Sequence, residues 1–357
     1  MPDTHWENTS SPQLELNAGK AAQKGAERWL YPTDAGLYCE PGGFLIDPVR
    51  PSPRAIITHG HSDHARPGHD AVLSTPETAA IMRQRYGPNA AATFEPLRYG
   101  EMKRIGGVNI WLVPAGHILG SAQVVLEYQG ARVVVSGDYK REPDPTCEPF
   151  ELVPCDVFVT EATFALPVFR HEPADKEVER LLESMRLEPE RPHLLGVYGL
   201  GKCQRMIKLL RRHGYDETIW LHGALTGLCE LYEAQGISLG DLRVVETSGT
   251  GGVARGLVMC PPSALSDRWS RRFPDPVTAF ASGWMRVRAR ARQRGVELPL
   301  VVSDHADWPE LIDTITGTRA GEIWVTHGRD DALVHQLSNM GIRAKALSLV
   351  GFEDEAE

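Results

Sequence analysis

The sequence predicts an α/β fold, and three observations carry that expectation. Short apolar runs recur from Tyr31 onward, divided by Gly and Pro. Helical patterns stand between them. The chain has 357 residues, 42% of them hydrophobic, enough for one large domain or two intermediate ones.

The strand runs have four to six β-branched or apolar residues, the pattern of buried strands. Gly43-Phe-Leu-Ile ends at Asp47, Ala55-Ile-Ile at Thr58-His59, and Arg132-Val-Val-Val at Ser136-Gly-Asp138. Asp156-Val-Phe-Val ends at Thr160-Glu161, Leu298-Pro-Leu-Val-Val at Ser303-Asp-His305, and Ile323-Trp-Val at Thr326-His327. Strand ends that deliver polar groups to one edge are how scaffolded active sites are built. Helices are expected from Pro76 to Arg85, Pro173 to Leu187, Cys203 to His213 and Trp308 to Thr316, where apolar residues recur at helical spacing. Residues 1–27 are polar and read as a disordered tail.

Composition narrows the function classes. No apolar run approaches 18 residues and no secretory leader is legible, so no membrane partner is expected. Six widely spaced cysteines without a CxxC pair suggest reduced thiols and a cytoplasmic protein. A net charge of −9 argues against a general basic coat for nucleic acid, while leaving room for a local basic channel.

The densest chemical signal is Thr58-His-Gly-His-Ser-Asp-His64, which holds three of the chain's 13 histidines. Clustered imidazoles and a carboxylate are costly to bury alone and favourable around a dication. His59 and His61 leave an extended segment on the same side, and Asp63 and His64 can face a second centre. His117, Asp138 and His327 are the further ligand candidates. One metal would take His59, His61 and His117, the other Asp63, His64 and His327, with Asp138 bridging. Two cations about 3.5–4 Å apart can activate a water and stabilise the oxygens of an in-line displacement at phosphorus.

This set resembles the metallo-β-lactamase superfamily. Asp47 matches its first motif, the His59–His64 run its second, His117 its third and Asp138 its fourth. Glu161 in Thr160-Glu-Ala-Thr, His305 in Ser303-Asp-His-Ala-Asp and His327 resemble the three further motifs of the β-CASP nuclease branch. Val197-Tyr-Gly-Leu-Gly-Lys-Cys-Gln204 is similar to a strand-to-helix turn of that branch. The resemblance implies an αββα sandwich with an inserted β-CASP α/β domain. Residues 28–165 and 296–357 would form the sandwich, and residues 166–295 the insertion. Within the branch the chain is most similar to the bacterial DNA-ligase-associated exonucleases. Tyr38-Cys-Glu-Pro-Gly-Gly-Phe-Leu-Ile-Asp-Pro and Ala281-Ser-Gly-Trp-Met carry that closer likeness, although His327 leans toward the RNA-processing members.

The resemblance implies metal-dependent phosphodiester hydrolysis by a metal-activated water, as a DNA exonuclease in repair. Two divalent cations are expected, zinc first and manganese as the alternative. DNA would be the partner polymer, RNA the alternative, with a DNA ligase and other repair proteins as associates. Asp47 would orient a ligand histidine from behind. Asp63 belongs to the catalytic as well as the metal set. His305 would be a general acid or phosphate clamp, held by Glu161. Lys140, Arg141, Arg286 and Arg288 are candidates for the phosphate backbone. Rival readings are an RNA-processing nuclease, a thioester or lactone hydrolase, and a metal-binding scaffold without catalysis. Gly199-Leu-Gly-Lys202 lacks the spacing and the Ser/Thr of a phosphate-binding loop. Gly236-Ile-Ser-Leu-Gly240 lacks the strand that precedes a nucleophile elbow.

Overall fold

The computed structural model describes residues 25–246, 255–328 and 330–347. Three sheets organise them. The first has six strands in sequence order: β1 (Leu30–Thr33), β2 (Gly36–Cys39), β3 (Phe44–Ile46), β4 (Arg54–Ile56), β5 (His69–Ser74) and β6 (Ala91–Pro96). Its first three strands are antiparallel and β3 to β6 run parallel. Helix α1 (Pro76–Tyr86) connects β5 to β6.

The chain then enters a second sheet through β7 (Lys103–Ile105), β8 (Val108–Pro114), β9 (Ala122–Tyr128), β10 (Ala131–Val135) and β11 (Val157–Ala162). It leaves this sheet for a separate body. That body holds α2 (Ala174–Leu187), β12 (His193–Gly196), α3 (Lys202–Arg212), β13 (Ile219–Leu221), α4 (Gly223–Ala234), β14 (Leu242–Val244), β15 (Leu257–Cys260), β16 (Val277–Ala281), α5 (Arg288–Arg294) and β17 (Leu298–Leu300). Its six strands form an all-parallel sheet in the order β14-β13-β15-β12-β16-β17. The chain returns through α6 (Trp308–Thr318), β18 (Glu322–Gly328), α7 (Asp330–Asn339) and β19 (Ala344–Ala346), and β18 pairs in parallel with β11.

Packing follows from alternation along the strands. Leu37, Phe44, Ile56 and Leu73 of the first sheet meet Leu112, Val124, Val133, Val159 and Trp324 of the second in one buried layer. Met82 of α1 covers the outer face of the first sheet with Ile57 and Val72. Leu311 and Ile315 of α6 and Leu333 and Leu337 of α7 cover the outer face of the second, against Val134, Phe158 and Val325. The result is an αββα sandwich, with the third sheet and its helices inserted between β11 and α6.

The four helices read from the sequence are α1, α2, α3 and α6. Two boundaries differ from expectation. Leu298–Leu300 was assigned to the sandwich but pairs with β16 as the edge of the third sheet. Most of the expected tail, residues 1–24, lies outside the described residues, whereas Ala26, near its end, is buried in the central layer. Arg286 ends a 3-10 turn, Arg288–Arg294 form α5, and the arginines of both are exposed.

Candidate metal centre

The C-terminal ends of β3, β4, β8, β10, β11 and β18 converge on one edge of the sandwich. The histidine run follows β4, and its loop is held by α1. Arg85 donates to the Gly60 carbonyl at 2.8 Å. A Cβ on Gly60 would stand 2.5 Å from the Ile81 side chain, so this close approach requires glycine. The loop carrying His117 is fastened by the same helix, because Thr75 and Thr78 both donate to the Gly120 carbonyl, at 2.7 and 3.0 Å. Glu161 and His327 meet at a register shift between β11 and β18, where Thr160 pairs with Val325 but Ala162 with Gly328. Such bulges re-aim side chains beside active sites. Asp47 and His327 themselves have left-handed backbones, with φ of 43° and 58°. For residues other than glycine this is a strained conformation that recurs at functional sites.

Four imidazoles surround the Asp138 carboxylate, and their tautomers follow from their outer partners. His117 Nδ1 lies 2.8 Å from the Asp304 carbonyl, and His61 Nε2 lies 3.3 Å from the Leu200 carbonyl. Carbonyls only accept, so both nitrogens carry the proton. His64 Nδ1 donates to Asp47 Oδ2 at 2.8 Å. The Thr58 hydroxyl also donates to Asp47 Oδ2, at 2.6 Å, and therefore accepts from His59 Nδ1 at 3.0 Å. The inner nitrogens are His59 Nε2, His61 Nδ1, His64 Nε2 and His117 Nε2. Asp138 Oδ2 stands 3.4 Å from His59 Nε2, 3.4 Å from His64 Nε2 and 3.9 Å from His117 Nε2.

This arrangement fits a dication. His117 Nε2 and His61 Nδ1 lie 3.0 Å apart, and in the neutral ring each presents a lone pair to the other. Opposed lone pairs repel unless a cation stands between them. The buried Asp63 Oδ1 has no hydrogen-bond partner, which is costly without a cation. The neutral forms of His59, His117 and His327 suit a ligand set, whereas His64 is held charged against its burial by the Asp138, Asp63 and Asp47 carboxylates, a proton that a bound cation would have to displace. Burial holds His59 well below the ordinary imidazole range, with the charge on His64 adding to the effect. Burial likewise pushes His117 and His327 down to about 3. Asp138 stays ionised despite burial because charged His64 faces it.

Ligand atoms of His59, His61, His117 and Asp138 lie within 4.8 Å of one another. Around the second half of the set, Asp63 Oδ2 is 3.5 Å from His64 Nε2, and the His327 ring stacks on His64 at 4.9 Å. The structure thus brings together all seven sequence-selected ligands, with Asp138 between the two halves. Asp47 sits behind them, bonded to His64 and Thr58. Asp47→Ala removes the acceptor behind His64 and, through Thr58, behind His59. Metal affinity is expected to fall about 10- to 100-fold, as measured by competition with a chelator.

Glu161 and His305 form a pair at the edge of this centre. Glu161 is fully buried, and its Oε1 accepts the Tyr139 backbone N–H at 2.7 Å. Its Oε2 accepts from His305 Nδ1 at 2.9 Å. His305 Nδ1 is 4.0 Å from Asp138 Oδ2, and the ring lies 4.7 Å from that of His117. Burial works against charge on His305, but the Glu161 carboxylate outweighs it and lifts the imidazole to about 10. The His305 side chain is 19% exposed, so a substrate can reach it.

The basic candidates divide. Lys140 is buried and paired with Glu310 at 2.8 Å, and Arg141 donates to Thr314 at 3.1 Å and lies over Phe150. The Lys140 ammonium is thereby occupied inside the protein, against the expectation of a backbone contact, whereas Arg141 is half-buried and its side chain remains partly open to solvent. Arg286 and Arg288 are exposed. Sequence reasoning missed Thr58, the Leu200 and Asp304 carbonyls, and Lys202. Thr58 had a signal in its place at the head of the histidine run, and Leu200, Lys202 and Asp304 lie in segments that resemble the β-CASP branch, but nothing in residue type marked their contacts.

Comparison with known proteins agrees with this geometry. Residues 34–191 match the family model described as the metallo-beta-lactamase superfamily. A protein of Opitutus terrae named probable DNA ligase is 27% identical over 324 residues, covering 89% of this chain and 31% of that protein. An endoribonuclease of Gibberella zeae, YSH1, is 29% identical over 172 residues, covering 47% of this chain and 20% of that protein. This chain therefore spans about a third or less of the length of these curated relatives. A solved structure, of a protein of unknown function from Enterococcus faecalis, shares the fold at a TM-score of 0.52 and 12% identity, covering 76% of this chain and 74% of its own. Residues 34–191, which carry the histidine run, His117, Asp138 and Glu161 of the sandwich, thus match the metallo-β-lactamase superfamily.

Proposed function

We propose that this chain hydrolyses phosphodiester bonds of nucleic acid with two divalent cations, and that it trims DNA from an end as a repair exonuclease of the β-CASP branch. One observation carries the reading. A reachable histidine, His305, held by the buried Glu161 carboxylate at 2.9 Å, stands against a seven-residue ligand set, and the element that delivers it lies beyond a large inserted domain.

When bound, the cations would activate water and neutralise phosphoryl oxygens; zinc suits the imidazole-rich set and manganese is the alternative. The chain's own residues do the rest. Asp47, Thr58, Leu200 and Asp304 fix which nitrogen each ligand histidine offers. Glu161 holds the Nδ1 proton of His305, so the other ring nitrogen of the imidazolium is a donor to the leaving oxygen or to the scissile phosphate. Replacing His305 with Ala is expected to lower turnover by about 10²- to 10⁴-fold while metal content is retained. Loss of bound metal would instead make His305 a ligand.

The similarity to a protein named DNA ligase, over 89% of this chain, supports DNA and a ligase as the associated activity. A second reading, RNA cleavage, is favoured by the likeness to an endoribonuclease over 47% of the chain. Arg286 and Arg288 remain as backbone contacts. Replacing both with Ala should reduce the slope of log affinity against log salt by about 0.9 per lost contact, and an unchanged slope would remove them from the interface. Six free cysteines support a cytoplasmic setting. No helix among the described residues is long and apolar enough to cross a membrane.

The deciding experiment is digestion of end-labelled DNA and RNA by the wild-type protein and Asp63→Ala, across zinc, manganese and magnesium. Progressive release from DNA ends, absent in Asp63→Ala, is expected. Cleavage of RNA alone selects the second reading. No metal-dependent cleavage of either polymer would end the nuclease reading.

A further inference from the structure

Two of the four imidazoles around Asp138 owe their tautomers to backbone carbonyls that no ligand motif contains. Leu200, which accepts from His61, lies on the turn between β12 and α3 in the inserted body. Asp304, which accepts from His117, lies between β17 and α6. The two carbonyls are therefore contributed from outside the part of the chain that carries the histidine run.

The Leu200 turn is tightly built. The Gln204 side chain clasps it from both sides, accepting from the Gly201 N–H and donating to the Gly199 carbonyl, each at 2.9 Å. Gly201 has φ of 84°, and a Cβ there would stand 2.3 Å from the Ile118 side chain, next to His117. Only glycine allows both the conformation and the contact. Lys202 then ties this turn to Asp304. Its ammonium pairs with Asp304 Oδ1 at 3.1 Å, with both side chains buried. Arg205, one turn along α3, donates to the Ser303 carbonyl at 2.6 Å. The first turn of α3 thus grips residues 303 and 304 immediately before His305.

We propose that Lys202 is a positioning residue of the metal centre, whose buried ion pair with Asp304 sets the Leu200 and Asp304 carbonyls on His61 and His117 and so makes docking of the inserted domain a determinant of metal affinity. The inference rests on the metal-centre reading given under the proposed function. Its physical basis is general: an acceptor behind a ligand histidine fixes the ring and raises its basicity. Lys202 also occupies the Asp304 carboxylate, which lies beside His117 and His305 and would otherwise compete as a ligand.

The test is zinc affinity of the full chain, by competition with a chromogenic chelator, for wild type, Lys202→Met, Lys202→Arg and Arg191→Met. Arg191 pairs with Asp275 and Glu297, all within the inserted body. Lys202→Met should bind the tighter zinc about 10- to 100-fold more weakly. Lys202→Arg should recover most of the loss, and Arg191→Met should match wild type. Should Lys202→Met fail to fold, Asp304→Asn severs the same ion pair at constant volume and is read in the same way. Equal affinity of wild type and the Lys202 or Asp304 variant overturns the inference and leaves the nuclease reading standing. An equal loss in Arg191→Met also overturns it, since general loosening would then suffice. A wild-type chain that binds no zinc or manganese fails the metal-centre reading itself.

Discussion

Asp138→Asn is expected to abolish cleavage and to lower metal content, although the substitution changes almost no volume. Asp138 Oδ2 lies 3.4 Å from inner nitrogens on both sides, His59 Nε2 and His64 Nε2, so one oxygen serves both halves of the ligand set. An amide lacks the anionic oxygen that this carboxylate would offer to cations in either half. The loss should exceed the roughly 10²- to 10⁴-fold attributable to one proton-transfer group and the roughly 10- to 100-fold of an outer partner such as Asp47. Metal analysis alongside turnover checks it. A variant that keeps both metals and most of its rate would show that Asp138 is no bridge.

Arg205→Met should give the largest loss of stability. Arg205 is 1% exposed and donates to Glu142 Oε2 at 2.5 Å and to the Ser303 carbonyl at 2.6 Å, with Asp144 Oδ2 3.7 Å from its Nε. Burial already lifts the Asp144 carboxyl, with Arg205 opposing that shift. Removing the guanidinium leaves carboxylates without their counter-charge at the junction of sandwich and inserted body. Breaking a buried pair in this way costs about 3–5 kcal/mol. Chemical denaturation reads it directly, and a loss below about 1 kcal/mol would mean that water replaces the guanidinium. Arg205→Met/Asp144→Leu should recover part of the loss, because it removes a stranded charge as well.

The sequence made the site legible wherever chemistry resides in side chains at strand ends. His59, His61, His64, His117, Asp138 and His327 were each placed by an apolar run or a ligand-rich motif. Glu161 and His305 were found because a known branch places an acid and a histidine there, and the structure joins them at 2.9 Å. Backbone contributions were not legible. Leu200 and Asp304 act through carbonyls, which leave no mark on residue type, and the likeness of Val197–Gln204 to a strand-to-helix turn did not reveal that its backbone reaches His61. Lys140 misled for a related reason. Its nearness to Asp138 in sequence suggested a phosphate contact, but its partner Glu310 stands far along the chain in α6. The bulge at Glu161 and His327 was also hidden, since register between β11 and β18 is a property of the pairing and not of either strand.

The central claim is that two cations in this one cluster support hydrolysis of nucleic acid. Its most direct test is stepwise reloading of chelator-stripped protein with zinc or manganese, with bound metal counted and end-labelled DNA and RNA cleavage measured at each step. Cleavage should rise with filling of the second equivalent and be absent at every step in Asp138→Asn. Full cleavage at one equivalent, or cleavage by the stripped protein, would contradict it.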